Sequence, residues 1–415
     1  MKNKNSLFFY KKLFESTPYD NIPIVSNLKK DIFYLPRIVY KKKITTIFVI
    51  YSLIRCLFLK KNKFLFFNHS ARFIKKTDLS KIPLYLNEQV FDPQHFYYID
   101  DNQEKINTYI GPSSILNSAK INEFVSLAII PFRMLNKIKK SNIDSKDIFY
   151  SYNVKLWILI FKILQPKKIL MVVWYGKPWI IEAAKILSIK VIDLQHGILY
   201  KEHKFYNLNN FEDKALLKKI IPDQCWVYGE YWKKQLINAG WEEKNLQILG
   251  YYLNLPQDSK KYNNARPYIL YTTSCSQNKQ EILIHINSIL SQVKNRNMTI
   301  IIAPHPQENP DDYQGILSDL VSLSSKDSYN LLKNCYVHIS TFSTLLWEGL
   351  YFKKSTYILS YEIHSKSFDI LIDLVEKGLA RSLSSGQFPE KFHFPNNSNT
   401  LEYFSSVTKK SISSI

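Results

Sequence analysis

Glycine is scarce in this chain, at 10 of 415 residues. That excludes collagen-like and Gly-rich low-complexity architectures. Neither G-x-G-x-x-G nor G-x-x-x-x-G-K-[ST] occurs, so the two common glycine-rich phosphate loops are missing. Cysteine is also sparse. The four, at positions 56, 225, 275 and 335, form no C-x-x-C pair, which argues against a zinc site or a disulfide framework and fits a reducing compartment. No Asp-x-Asp occurs either. Long apolar runs are lacking: the longest, Ile44–Leu59, is broken by Arg55 and falls short of the ~20 residues of a spanning helix. The opening MKNKNSLFFYKKLFE has no apolar stretch of signal-peptide length. The expectation is a cytoplasmic protein, soluble or peripheral on the inner face of the membrane.

What is abundant is apolar and basic. Hydrophobic residues make up 46% of the chain and aromatics 14%, ample for a packed core and incompatible with wholesale disorder. At ~100–200 residues per domain the length suggests two domains, or three. The formal net charge is +21. Residues 1–63 hold 14 Lys/Arg against Glu15, Asp20 and Asp31. Such asymmetry suits an anionic partner, either a membrane surface, nucleic acid or a phosphorylated substrate. It is equally what a Lys/Asn-rich composition produces on any surface.

Residues 1–60 read as basic, aromatic helices. Phe64–Phe67 reads as a buried strand ending in the polar Asn68-His69-Ser70-Ala71-Arg72. Helices are expected over 121–140 and 152–164. A regular alternation then begins. Ile169–Trp174, Val191–Leu194, Gln224–Tyr228 and Leu246–Leu249 read as strands, with helices Pro178–Leu187 and Tyr231–Ala239 between them. Residues 251–266 are polar and aperiodic, the best linker. A second alternation follows: strands Tyr268–Thr272, Met298–Ile302, Cys335–Ile339 and Ser355–Leu359, with helices at 278–293, Ser328–Lys333 and Leu345–Tyr351. The fold class is α/β, two doubly wound parallel-sheet (Rossmann-like) domains facing across a cleft. The organisation is 1–60 basic helical region, 61–250 first domain, 251–266 linker, 267–395 second domain and 396–415 C-terminal tail.

Ligands of open parallel sheets sit at the carboxyl ends of the strands, and the polar clusters fall there. Asp193-Leu194-Gln195-His196-Gly197 places an imidazole just past a strand, where it can take a proton from a hydroxyl near neutral pH. Gly197 allows a tight turn. In Pro304-His305-Pro306 two prolines stiffen the loop around one imidazole, which can donate to a phosphate oxygen. Ser340, Thr341, Ser343 and Thr344 stand at a strand-to-helix junction, more hydroxyls than capping needs and suited to an anion. Glu348, a turn into that helix, can accept both hydroxyls of a ribose. His69 and Arg72 are candidates for an acceptor or an anionic group, with Asp92 as a spare carboxylate nearby. Each cluster also has a structural reading as a polar turn or cap.

Taken together, the Gln-His-Gly loop, the His-Pro loop and the Ser/Thr turn followed by Glu resemble bacterial GT-B glycosyltransferases. The resemblance is greatest to capsule and lipopolysaccharide enzymes using CMP- or CDP-activated donors: Kdo transferases, sialyltransferases and polyglycerophosphate transferases. It covers roughly residues 165–360 and includes Trp226-Val-Tyr-Gly229…Gly240…Ile248-Leu-Gly250. It implies a base at or near His196, donor phosphates at His305 and Ser340–Thr344, and a ribose at Glu348. Gln195, Gly197 and Arg72 become acceptor- or phosphate-binding candidates, and His69 and Asp92 further catalytic ones. The implied reaction moves a sugar from a nucleotide donor to a lipid-linked or oligosaccharide acceptor of the cell surface. It calls for no metal and no cofactor, and the basic N-terminus would rest on anionic lipid. The alternatives are a glycerol- or ribitol-phosphate transferase, a UDP-sugar epimerase or transferase of the same fold, and a non-catalytic scaffold. A nucleic-acid binder ranks low, because the charge gathers at the N-terminus while the polar motifs sit at strand ends.

Overall fold

A computed structural model describes residues 64–67, 96–100, 114–117, 145–200, 205–251, 266–273, 279–305, 308–324, 328–340, 343–359, 369–384 and 402–404, with isolated positions at 50, 54, 56, 57, 203, 388, 392 and 394. The expected helical region 1–60, apart from positions 50, 54, 56 and 57, the expected helix 121–140, the loop 68–72 with His69 and Arg72, Asp92, Thr341 and most of the 251–266 linker lie outside the described residues.

The described elements form two wholly parallel sheets. The first has seven strands: β1 (Phe64–Phe67), β2 (Phe96–Asp100), β3 (Ser114–Asn117), β4 (Lys168–Met171), β5 (Lys190–Leu194), β6 (Gln224–Val227) and β7 (Leu246–Ile248). Their order is β3-β2-β1-β4-β5-β6-β7. The second comprises β8 (Tyr268–Thr272), β9 (Thr299–Ala303), β10 (Val321–Leu323), β11 (Val337–Ser340), β12 (Ser355–Leu359) and β13 (Arg381–Leu383), ordered β10-β9-β8-β11-β12-β13. Both orders reverse direction once, between β1 and β4 and between β8 and β11. In doubly wound sheets ligands bind outside the carboxyl ends at such a reversal.

Local chemistry explains the elements. β8 and β12 are buried at every position, as strands covered on both faces must be. Helix α1 (Ser145–Leu164) buries Tyr150, Val154, Trp157, Phe161 and Leu164, one stripe at helical spacing. Helix α2 (Pro178–Ile186) opens with Pro at its first turn. Asp213 caps α3 (Lys214–Ile220) by accepting from Leu216 N at 2.8 Å. Helix α4 (Glu230–Asn238) ends where Gly240, at φ +90°, lets its own N–H reach Ile237 O and that of Trp241 reach Leu236 O. The second half adds α5 (Lys279–Asn295), α6 (Ser328–Asn334), α7 (Leu345–Tyr351) and α8 (Asp369–Glu376).

Several boundaries differ from expectation. β4 stops at Met171 rather than Trp174, because Val173 takes a left-handed conformation (φ 61°) and starts a short 3₁₀ turn over Trp174–Gly176. A β-branched residue there is strained by about 1–3 kcal/mol. β11 begins two residues later than read and takes in Ser340.

The second sheet has core clusters of its own, and the first half's core extends into elements of the second half. Buried residues of the first sheet pack in a cluster with Leu346, Trp347 and Leu350 of α7, Leu371 and Leu374 of α8, and Tyr403 and Phe404. Residues 402–404, assigned by sequence to a C-terminal tail, therefore return to the first domain. Tyr231 N donates to Glu402 O at 3.0 Å and Trp232 Nε1 to Tyr403 O at 2.9 Å. Gly229 permits this approach, since a Cβ there would lie 2.4 Å from Glu402 O. Among the described residues no helix is long and apolar enough to cross a membrane.

Candidate functional site

On the second sheet the neighbouring strands β9, β8 and β11 flank the strand-order reversal. Thr272 and Ser340 are register partners across β8 and β11. The Thr272 hydroxyl donates to Ser340 Oγ at 2.7 Å, and Ser340 donates to Thr272 O at 3.0 Å. Since the Thr272 hydrogen is spent on Ser340, the 2.9 Å contact between Thr272 Oγ1 and His338 Nε2 assigns the proton to Nε2. Burial pushes the His338 pKa down to about 3, so this imidazole stays neutral. Ser340 thus closes an internal network beneath the loop instead of facing a ligand. Ser343 accepts from Leu345 N at 3.3 Å, an ordinary cap, and Thr344 makes no side-chain cap bond.

The His305 loop is held by a carboxylate that sequence reasoning did not single out. His305 N donates to Glu308 Oε2 at 2.8 Å and to Thr273 Oγ1 at 3.1 Å. The Thr273 hydroxyl donates to the same Glu308 oxygen, and Tyr313 Oη to the other at 3.2 Å. Glu308 N returns a bond to His305 O at 2.9 Å. The signal was present as a carboxylate three residues past the histidine, able to cap its N–H. The His305 ring is half-buried. Burial lowers its pKa, and Glu308 opposes that shift.

Glu348 lies on α7 and is 1% exposed. Its Oε1 accepts from Tyr251 Oη at 3.0 Å and from Tyr329 Oη at 3.1 Å. Tyr251 is the first residue after the first domain's Gly250 turn, so this bond joins the two halves.

On the first sheet, His196 is half-buried at the carboxyl end of β5. Gln195 serves as its scaffold. Gln195 Oε1 accepts from Tyr228 N at 2.7 Å and Nε2 donates to Gly197 O at 2.8 Å, pinning the turn on both sides of His196. The Val173 kink delivers Tyr175 beside it, with ring centroids 6.5 Å apart. Tyr175 also stacks on Phe205 at 4.3 Å and meets His203 at 5.8 Å. Burial pushes the His203 pKa down to about 4.

Beneath this aromatic wall sits Asp193, fully buried. Its Oδ2 accepts from Tyr206 Oη at 2.6 Å and from Cys225 Sγ at 3.7 Å. Burial raises its pKa to about 7, against the pull of those bonds, the Trp174 backbone N–H and the nearby Lys177. Asp193 was visible as a strand-end carboxylate. Tyr175, Tyr206, Lys177 and Cys225 were not, because only the fold brings them to it. His69, Arg72, Asp92 and Thr341 lie outside the described residues. Among the described residues no group of three His, Cys, Asp or Glu could hold a metal ion.

The geometry thus puts one imidazole-bearing loop at the carboxyl edge of each parallel sheet, the first braced by the buried Gln195 and the second by the half-buried Glu308. No family model matches the sequence, and no curated protein does. Solved structures do share the fold. The UDP-GlcNAc 2-epimerase of Methanocaldococcus jannaschii matches with a TM-score of 0.51 at 11% identity, over 81% of this chain and 95% of that one. The Staphylococcus aureus MnaA–UDP co-structure matches at TM-score 0.48 and 13% identity, over 79% and 85%. The calicheamicin glycosyltransferase CalG4 matches at 0.44 and 9%, over 85% and 91%. At these identities what is shared is the architecture: this chain has a GT-B-like fold of two Rossmann-type sheets.

Proposed function

We propose that this chain acts on a nucleotide-activated sugar, holding the nucleotide against the second sheet and using His196 of the first sheet as the proton acceptor. The observation that carries this reading is the placement of the braced His305 and His196 loops at the carboxyl edges of two parallel sheets, one beside the strand-order reversal of the nucleotide half. The favoured reaction is transfer. His196 removes the proton of an acceptor hydroxyl, and the oxygen attacks the anomeric carbon. The bond from that carbon to the diphosphate breaks, and the nucleotide leaves with its charge met by donors of the His305 and Ser343–Thr344 loops. A uridine donor leads over the CMP or CDP donors expected from sequence, because the M. jannaschii structure of the same architecture is that of a UDP-GlcNAc 2-epimerase. That likeness also favours a second reading, epimerisation of a UDP-sugar without an acceptor. A surface-glycan acceptor, reached while the basic N-terminus rests on anionic lipid, is part of the first reading.

A thermal-shift panel of UDP, UMP, CDP, CMP and GDP tests the nucleotide claim. A ligand at a hundred times its Kd should add about 2.7 kcal/mol of stability. No shift with any of them refutes it. Incubation with UDP-sugars then separates the readings: transfer requires an acceptor and releases UDP, whereas epimerisation inverts a sugar carbon and leaves the nucleotide sugar intact.

A further inference from the structure

Glu348 is the residue whose chemistry suits a ribose, yet it is sealed. It is 1% exposed, and Tyr251 and Tyr329 both donate to the same oxygen. A carboxylate so placed meets a diol only if one of those hydroxyls moves off it. The two tyrosines differ in what they touch. Tyr329 belongs to α6, within the second half. Tyr251 stands between the halves, boxed by Tyr228 at 5.0 Å, Tyr351 at 4.7 Å and Phe404 at 5.1 Å between ring centroids.

Tyr228 leads further. Its backbone N–H is the donor to Gln195 Oε1, and the Gln195 amide holds Gly197 O. An unbroken set of contacts therefore runs from Glu348 through Tyr251, Tyr228 and Gln195 to the turn that carries His196. Every link is a hydrogen bond or a ring-on-ring contact between buried groups, so displacing one end cannot be absorbed by solvent.

We propose that Tyr251 is a positioning residue that couples the nucleotide subsite to the His196 loop: ribose hydroxyls take its place on Glu348, and its released ring shifts Tyr228 and with it the Gln195–Gly197 turn. This rests on the reading that a nucleotide binds the second sheet. Its consequence is order. The proton acceptor is set for reaction only when the nucleotide is seated, which limits wasteful hydrolysis of the donor.

The test uses the full chain, with Tyr251→Phe and Tyr329→Phe, and UDP and CDP as probes. Tyr251→Phe removes the hydroxyl that the ribose must displace, so it should tighten nucleotide binding by about tenfold, the scale of a hydrogen bond to a charged group, whereas Tyr329→Phe leaves that hydroxyl in place and should bind as the wild type does. The two should part in hydrogen exchange of the 191–200 segment. Nucleotide should change its protection in the wild type and in Tyr329→Phe, and leave it unchanged in Tyr251→Phe. 2′-Deoxy-UDP should lose the gain in affinity. Wild-type binding with equal affinity in Tyr251→Phe, or equal protection in all three proteins, overturns the coupling while leaving the nucleotide reading intact. Binding of neither probe by any of the three overturns the nucleotide reading, and the coupling with it.

Discussion

Asp193→Asn should stabilise the protein, and by an amount that grows with pH. The folded carboxyl titrates near 7 against an ordinary 3.8 because it is fully buried. Below pH ~4 both folded and unfolded chains carry the proton, and the site costs nothing. Between pH 4 and 7 the unfolded carboxyl ionises freely while the folded one resists, so this site lowers stability as pH rises. Above 7 the penalty is constant at about 4 kcal/mol. Asparagine has no such titration, and its amide oxygen still accepts from Tyr206 Oη. Urea unfolding of both proteins at pH 5 and pH 8 reads the difference. The variant's advantage should be larger at pH 8 by about 2–3 kcal/mol. A pH-independent difference, or a wild type that gains on the variant at high pH, would refute the assignment of a buried, neutral-leaning carboxyl.

Gly229→Ala should detach residues 402–404, because its Cβ would stand 2.4 Å from Glu402 O and 2.6 Å from Tyr403 O. With Tyr403 and Phe404 unburied and two backbone-anchored bonds lost, the cost is about 3–6 kcal/mol, while Gly315→Ala, with nothing within 4 Å, should melt as the wild type does. Glu308→Gln should weaken UDP binding by about tenfold and destabilise the fold by about 1–3 kcal/mol, since an amide cannot accept from His305 N, Thr273 and Tyr313 together; calorimetric titration showing wild-type affinity would count against the brace. Gly349→Ala drives a Cβ to 2.9 Å from His338 Nδ1 and 3.0 Å from Thr356 Oγ1, and overpacking of this kind should lower stability by about 1–3 kcal/mol in a denaturant melt.

Much of the architecture was legible because parallel strands buried on both faces must be apolar over their whole length. Ile169–Met171 and Ile300–Ala303 announce themselves that way. Strand ends were less legible. Val173 turns left-handed inside an unbroken apolar run, and nothing in Ile169–Trp174 marks the kink. Ser340 looked like the first hydroxyl of a ligand turn, but register places it opposite Thr272 within the sheet. Distance along the chain hid the rest. The Trp232 indole finds Tyr403 across 171 positions, Tyr251 finds Glu348 across 97, and no local pattern encodes either meeting. His196 and His305 were visible because each follows a strongly apolar strand, whereas the residues bracing them, Gln195 and Glu308, reveal their roles only through bonds to backbone.

The most direct test of a nucleotide held by the second sheet and a base on the first is a split between binding and turnover. UDP affinity and UDP-sugar turnover should be measured side by side for the wild type, His196→Ala and His305→Ala. His196→Ala should bind UDP as the wild type does and lose at least about a hundredfold in kcat, while His305→Ala should lose about tenfold in UDP affinity. Undiminished turnover by His196→Ala, or unchanged affinity in His305→Ala, would contradict the assignment.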